Sequence, residues 1–130
     1  MSNLISIELK MRLTSGISAI ELRGQITESQ TGTAFDRRPV SVVSSADGWT
    51  QYSVPTEMGD AKYIAVRNPS TNANNVALAT LDGSSNKVTT DTIVPGGLVL
   101  LSKRDKTKIY LNHAGGTGTT QELDVFSIET

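Results

Sequence analysis

Between residues 5 and 13 the chain alternates without a break: Ile5, Ile7, Leu9, Met11 and Leu13 take every second position, separated by Ser6, Glu8, Lys10 and Arg12. Successive side chains of a β-strand point to opposite faces, so this order gives one apolar face and one wet face. An α-helix would scatter the same residues around its circumference and leave no apolar stripe. The segment is therefore a strand. Thr14, Ser15 and Gly16 punctuate its end, and Ile20, Leu22, Gly24 and Ile26 then repeat the alternation against Glu21, Arg23 and Gln25. Two such strands joined by a short polar turn predict an N-terminal hairpin over residues 1–26. Gly24 falls on its apolar face, where a glycine marks either a bulge or the close approach of another backbone.

The rest of the chain is punctuated in the same manner. Residues 27–38 are polar apart from Phe35 and read as a long loop. Val40, Val42 and Val43 follow Pro39, a residue that belongs at a strand start or edge. Asp47-Gly48 signals a turn before Trp49, Tyr52 and Val54. Apolar runs at 62–67, 76–81, 92–94, 98–101, 109–111 and 123–128 are separated by turns rich in Asn, Ser, Asp and Gly and by a Gly-Thr loop at 115–120. Pro95-Gly96-Gly97 fits a type II turn, in which glycine supplies the positive φ. The unbroken Leu98-Val99-Leu100-Leu101 run predicts a strand buried on both faces or lying at a subunit contact. About eight or nine short strands at this spacing predict an all-β antiparallel β-sandwich or barrel.

Composition narrows the function classes. With 130 residues, 37% hydrophobic and 19% charged, the chain has enough apolar material for one sandwich domain spanning 1–130, within which the 1–26 hairpin is the candidate oligomerisation element. A net charge of -1 argues against a nucleic-acid ligand, whose phosphates demand clustered cations. The small basic groups, Arg37-Arg38 and Lys103, Arg104, Lys106 and Lys108, each sit beside an aspartate and read as solvated loops. The absence of cysteine excludes disulfides and thiolate chemistry. No apolar stretch reaches membrane-spanning length and no secretory leader is evident, so the expectation is a protein made and kept in aqueous solution, without a membrane partner.

Reactive constellations are sparse. His113 is the only histidine and is expected at the surface or an interface. The aspartates are dispersed. Asp82-Gly83-Ser84-Ser85-Asn86 has calcium-friendly composition but lacks the later bidentate acid of an EF-hand, which makes it a bare turn. Gly115-Gly116-Thr117-Gly118 leads into no helix and cannot form a P-loop. The expectation is a non-enzyme with no catalytic residues, no cofactor and no metal. Trp49 and Tyr52, with Tyr63 and Tyr110 elsewhere, could stack on a sugar, but at 5% of the chain aromatic residues are expected to be spent on core or interface packing.

Residues 59–130 carry a further pattern: Gly59-Asp60-Ala61-Lys62-Tyr63-Ile64-Ala65-Val66-Arg67-Asn68-Pro69, then Val76-Ala77-Leu78, Pro95-Gly96-Gly97-Leu98-Val99-Leu100-Leu101, Ile109-Tyr110-Leu111 and Glu122-Leu123-Asp124-Val125-Phe126-Ser127-Ile128-Glu129. This order resembles the small jelly-roll virion proteins of tailed bacteriophages, in which a strand closing on Asn, a Pro-Gly-Gly turn before a Leu-rich strand and a terminal strand in an acidic setting recur. The resemblance implies a jelly-roll-like sandwich that forms a homo-oligomer such as a trimer. It further implies attachment to major capsid or neck and tail proteins, as a capsid decoration, cement, fibre-base or neck protein. Such a protein is made in the host cytoplasm and resides in the virion. Ile5, Ile7, Leu9, Met11 and Leu13 are then the expected oligomer or particle interface. The rival expectation is a carbohydrate-binding module of a phage fibre or receptor-binding protein, holding a glycan on Trp49, Tyr52 and neighbouring Asn side chains.

Overall fold

The computed structural model describes residues 3–15, 18–30, 35–44, 48–56, 61–106, 108–113, 115–116 and 118–128. Among them are ten strands: β1 (Asn3–Ser15), β2 (Ser18–Gln30), β3 (Phe35–Val43), β4 (Thr50–Ser53), β5 (Ala61–Arg67), β6 (Val76–Leu81), β7 (Lys87–Ile93), β8 (Leu98–Lys106), β9 (Lys108–His113) and β10 (Thr120–Ile128). The chain divides into two compact units, Met1–Thr33 and Ala34–Glu129.

The larger unit is an antiparallel β-sandwich of two four-stranded sheets, ordered β3-β10-β5-β8 and β4-β9-β6-β7. Its pairings are nested: β3 with β10, β4 with β9, β5 with β8 and β6 with β7. This is a long antiparallel hairpin wrapped into two layers, the jelly-roll arrangement. Alternation explains the layers. In β10, Gln121, Leu123, Val125 and Ser127 are buried while the intervening residues are exposed or half-buried. Leu123 and Val125 join Val42, Ile64, Val66 and Leu101 on one side of the core, with Tyr52, Ile109, Leu111, Val76, Leu78 and Ile93 on the other. Each such aliphatic side chain contributes roughly 1.5–3 kcal/mol through burial. A register shift between Leu78 and Ala79 in β6 breaks the alternation, and Leu78, Ala79 and Thr80 are buried in succession.

The Pro95-Gly96 turn forms as expected. The Gly97 N–H donates to the Val94 carbonyl at 2.7 Å and Gly96 has φ +84°. It links β7 of one sheet to β8 of the other. Beyond it, Leu98 is 65% exposed and Leu100 is also exposed, while Val99 and Leu101 turn inward. Burial on both faces is therefore excluded for this run. The reason is that β8 is an edge strand and only one face of its sheet meets the core.

Three further expectations are corrected. The polar stretch 27–38 is mostly strand: β2 continues to Gln30 opposite Asn3, and β3 begins at Phe35 opposite Ile128. Backbone pairing with β1 and β10 extends these strands past the point where apolar alternation ends. For the same reason Arg37 and Arg38 lie in β3, and Lys103, Arg104 and Lys106 lie in β8, not in loops. Strand β7 covers the polar run Lys87–Ile93, of which only the last residue is buried. The Asp47 half of the expected Asp47-Gly48 turn lies outside the described residues.

Candidate functional site

The hairpin unit is built by a register with no shift, from Asn3 opposite Gln30 to Ser15 opposite Ser18. One face carries the rows Ile5–Glu28, Ile7–Ile26, Leu9–Gly24, Met11–Leu22 and Leu13–Ile20. The other carries Leu4–Ser29, Ser6–Thr27, Glu8–Gln25, Lys10–Arg23 and Arg12–Glu21. Sequence alternation in both strands thus converges on a single apolar face. The side chains of Ile5, Leu9, Met11, Leu13, Ile20 and Ile26 lie outside the described residues, and for these positions the register gives the backbone pairing alone. Leu22 is 63% exposed and Ile7 is half-buried. The residues on β2, namely Ile20, Leu22, Gly24 and Ile26, extend the expected interface across both strands. Their period was visible in the sequence, but only the register puts them beside the β1 set.

The polar face is tied by charge. Lys10 and Arg23 stand directly opposite each other, a repulsive arrangement. Glu21 relieves it, pairing with Arg23 and lying 3.9 Å from Lys10. Gln25 Nε2 donates to Ser6 Oγ at 3.4 Å. These groups are exposed, so their energetic contribution is small and their effect is to keep this face in water. Gly24 lies in the middle row of the apolar face. A Cβ built on it would meet nothing within 4 Å among the described residues.

Trp49 and Tyr52 do not form a stacking platform. Trp49 is half-buried, whereas Tyr52 is 2% exposed and part of the core. Tyr52 donates its hydroxyl to Asp36 Oδ2 at 3.0 Å and shares a 2.9 Å hydrogen bond with Ser127 Oγ. The Arg38 guanidinium lies 4.8 Å from the ring centroid and 3.3 Å from Asp36. A ring so enclosed offers no face to a sugar. Burial pushes the Tyr52 phenol above its ordinary value; Ser127 opposes the shift and Asp36 adds to it.

His113 is buried, not at the surface. Its Nδ1 accepts the Gly115 N–H at 3.1 Å and its Nε2 lies 2.8 Å from the Thr119 carbonyl. Ser44 completes this junction. Its hydroxyl reaches the Gly115 and His113 carbonyls at 2.7 and 3.1 Å, and its N–H donates to Thr119 O at 2.9 Å. The Gly-rich loop is thereby tied to the end of β9.

The asparagines near 68–75 serve the fold in the same way. Buried Asn68 donates to the Asn74 and Ile93 carbonyls and accepts from Asn72 and Gln121. Asn72 also donates to the Glu122 carbonyl. At the 82–86 turn, Asp82 Oδ1 accepts the Ser84 and Asn86 N–H groups at 2.8 and 2.9 Å. Those two bonds hold the Asp82 carboxyl below its ordinary range, with Asn86 the larger cause. Among the described residues no buried side-chain N or O lacks a hydrogen-bond partner. No family model matches the chain, and no curated protein matches it.

Proposed function

We propose that the chain is a non-enzymatic structural protein that works by assembly, and that it is a bacteriophage virion component of the capsid-decoration or cement kind. The observation carrying this reading is the β1–β2 ribbon, whose register places eight aliphatic residues on one face, together with Gly24 and Glu28, and which joins neither sheet of the sandwich. A two-stranded ribbon is marginal in water unless its apolar face is covered. A contiguous exposed apolar surface on a soluble protein marks a contact with another molecule.

The sandwich supports the reading by what its polar groups do. His113, Ser44, Asn68 and Tyr52 are committed to hydrogen bonds inside the fold. The jelly roll then acts as a rigid body and the ribbon as the attachment element. In this reading the protein is made in the host cytoplasm and ends in the virion as a homo-oligomer on capsid or neck and tail proteins. It takes no cofactor and no nucleic acid.

The test is direct. An antibody against the chain should label purified, intact particles of the phage that encodes it, at many positions per particle. Labelling confined to the soluble fraction of the lysate would refute the assignment to the virion.

A further inference from the structure

Val76 and Leu78 belong to the core, so Ala77 between them lies on the outer face of the sheet β4-β9-β6-β7. The register sets Asn112 on one side of it and Thr92 on the other. Ala79, two residues along the strand, has Tyr110 beside it, a ring with the Lys87 ammonium 4.9 Å from its centroid. The two alanines end differently. Ala79 is fully buried, whereas Ala77 is half-buried and lines a recess of about 300 Å³ together with Asn75, Thr92, Asn112 and His113. A methyl group between two longer polar side chains leaves the sheet surface hollow at that point. The volume lies at the lower end of what small-ligand sites enclose.

The lining decides the ligand class. Among the described residues it holds no carboxylate, ammonium or guanidinium, and so gives a phosphate, a carboxylate or a metal ion no counter-charge. The His113 ring is buried and engaged at both nitrogens, and no Trp, Tyr or Phe is in the lining, so a nucleobase finds no exposed ring to stack on. Strand β6 has a partner on each side, so an extended peptide finds no free ladder there. What remains is neutral and of two natures. The Asn75 amide and the Thr92 hydroxyl are exposed, and among the described residues neither side chain is in a hydrogen bond. Each offers a donor and an acceptor, while the Ala77 methyl supplies an apolar floor. A sugar ring has the matching pair of surfaces, hydroxyls around its edge and C–H bonds across its face.

We propose that this recess holds one ring of an uncharged saccharide, its C–H face on Ala77 and its hydroxyls bonded to Asn75 and Thr92. The site is not the Trp49 and Tyr52 surface, which the burial of Tyr52 excludes. It belongs to the sandwich alone, and its occupancy does not depend on the virion reading.

The experiment is a nuclear magnetic resonance titration of the full chain with glucose, galactose, mannose and N-acetylglucosamine, and with glucuronic acid as the charged control. At least one neutral sugar is expected to give saturable shifts at Asn75, Ala77, Thr92 and Asn112, with the turn at Asp82–Asn86 unmoved. Ala77→Leu fills the hollow and is expected to abolish the shifts. Thr92→Val keeps the shape, removes the hydroxyl, and is expected to weaken binding on the order of fivefold, the loss of one hydrogen bond. Each variant's spectrum away from the recess shows whether it is folded, and Thr92→Val carries the test if Ala77→Leu is not. Shifts that do not saturate, shifts centred elsewhere, a preference for glucuronic acid, or folded variants that bind as the wild type does would each overturn the proposal.

Discussion

A backbone N–H can only donate, so the Gly115 bond to His113 requires an unprotonated Nδ1 and puts the ring hydrogen on Nε2, facing the Thr119 carbonyl. Nitrogen chemical shifts should report the Nε2–H tautomer; an Nδ1–H signal would contradict the junction. Tyr52 makes a different prediction. Its phenol is raised above 10.0 by burial, so the stability it adds is complete below pH 10.0 and is lost as pH rises through the higher folded value. Tyr52→Phe should cost about 1–3 kcal/mol near neutrality, because the buried Ser127 hydroxyl loses its partner, and should flatten the alkaline part of a denaturation series. Asp82 has the opposite sign. Its carboxyl is held below 3.8 by the Asn86 and Ser84 N–H groups, so its contribution is present above pH 3.8 and disappears as pH falls through the folded value. The stability gap between wild type and Asp82→Ala should therefore narrow in acid. The role of Tyr52 was not legible beforehand, since its Ser127 partner lies 75 residues away. Asp82 and His113 take the partners named here from two to six residues along the chain, and what hid their roles was the geometry of the turn, not distance.

Elements were more legible than residues, because a strand's apolar alternation is a local property. The Pro95-Gly96-Gly97 turn is the clearest case. Gly96 has positive φ, and a Cβ on Gly97 would come within 2.8 Å of the Val94 carbonyl oxygen. Gly96→Ala should lower stability by about 1–2 kcal/mol, measured by urea denaturation, from the left-handed backbone alone. Unchanged stability would mean that the turn reforms another way. Residues 87–91 of β7 and residues 27–30 of β2 were not legible. They are polar, and what holds them is the backbone ladder, which any sequence can join and which leaves no side-chain pattern to read.

At the scale of the molecule, the sandwich and the hairpin should respond to mutation independently. Leu111→Ala empties part of the core and should cost about 2–5 kcal/mol in thermal or denaturant unfolding. It should leave the number of copies in solution unchanged, since Leu111 belongs to the sandwich unit. A change in copy number with Leu111→Ala would show that assembly depends on the sandwich and not on the hairpin alone. Taken by itself, the sequence determined that the chain is all-β, where most strands lie, which of their faces are apolar and where the tight turns fall. All of these follow from side-chain period and backbone chemistry within a few residues. Only the tertiary structure decided that Phe35–Val43 closes on Thr120–Ile128 and that the strands nest into a jelly roll. It likewise decided that Tyr52 and His113 are interior and that Gly24 stands in an unshifted register. Those outcomes depend on which distant strand a segment meets, and that is set by the summed burial of both sheets, not by any pattern a segment carries alone.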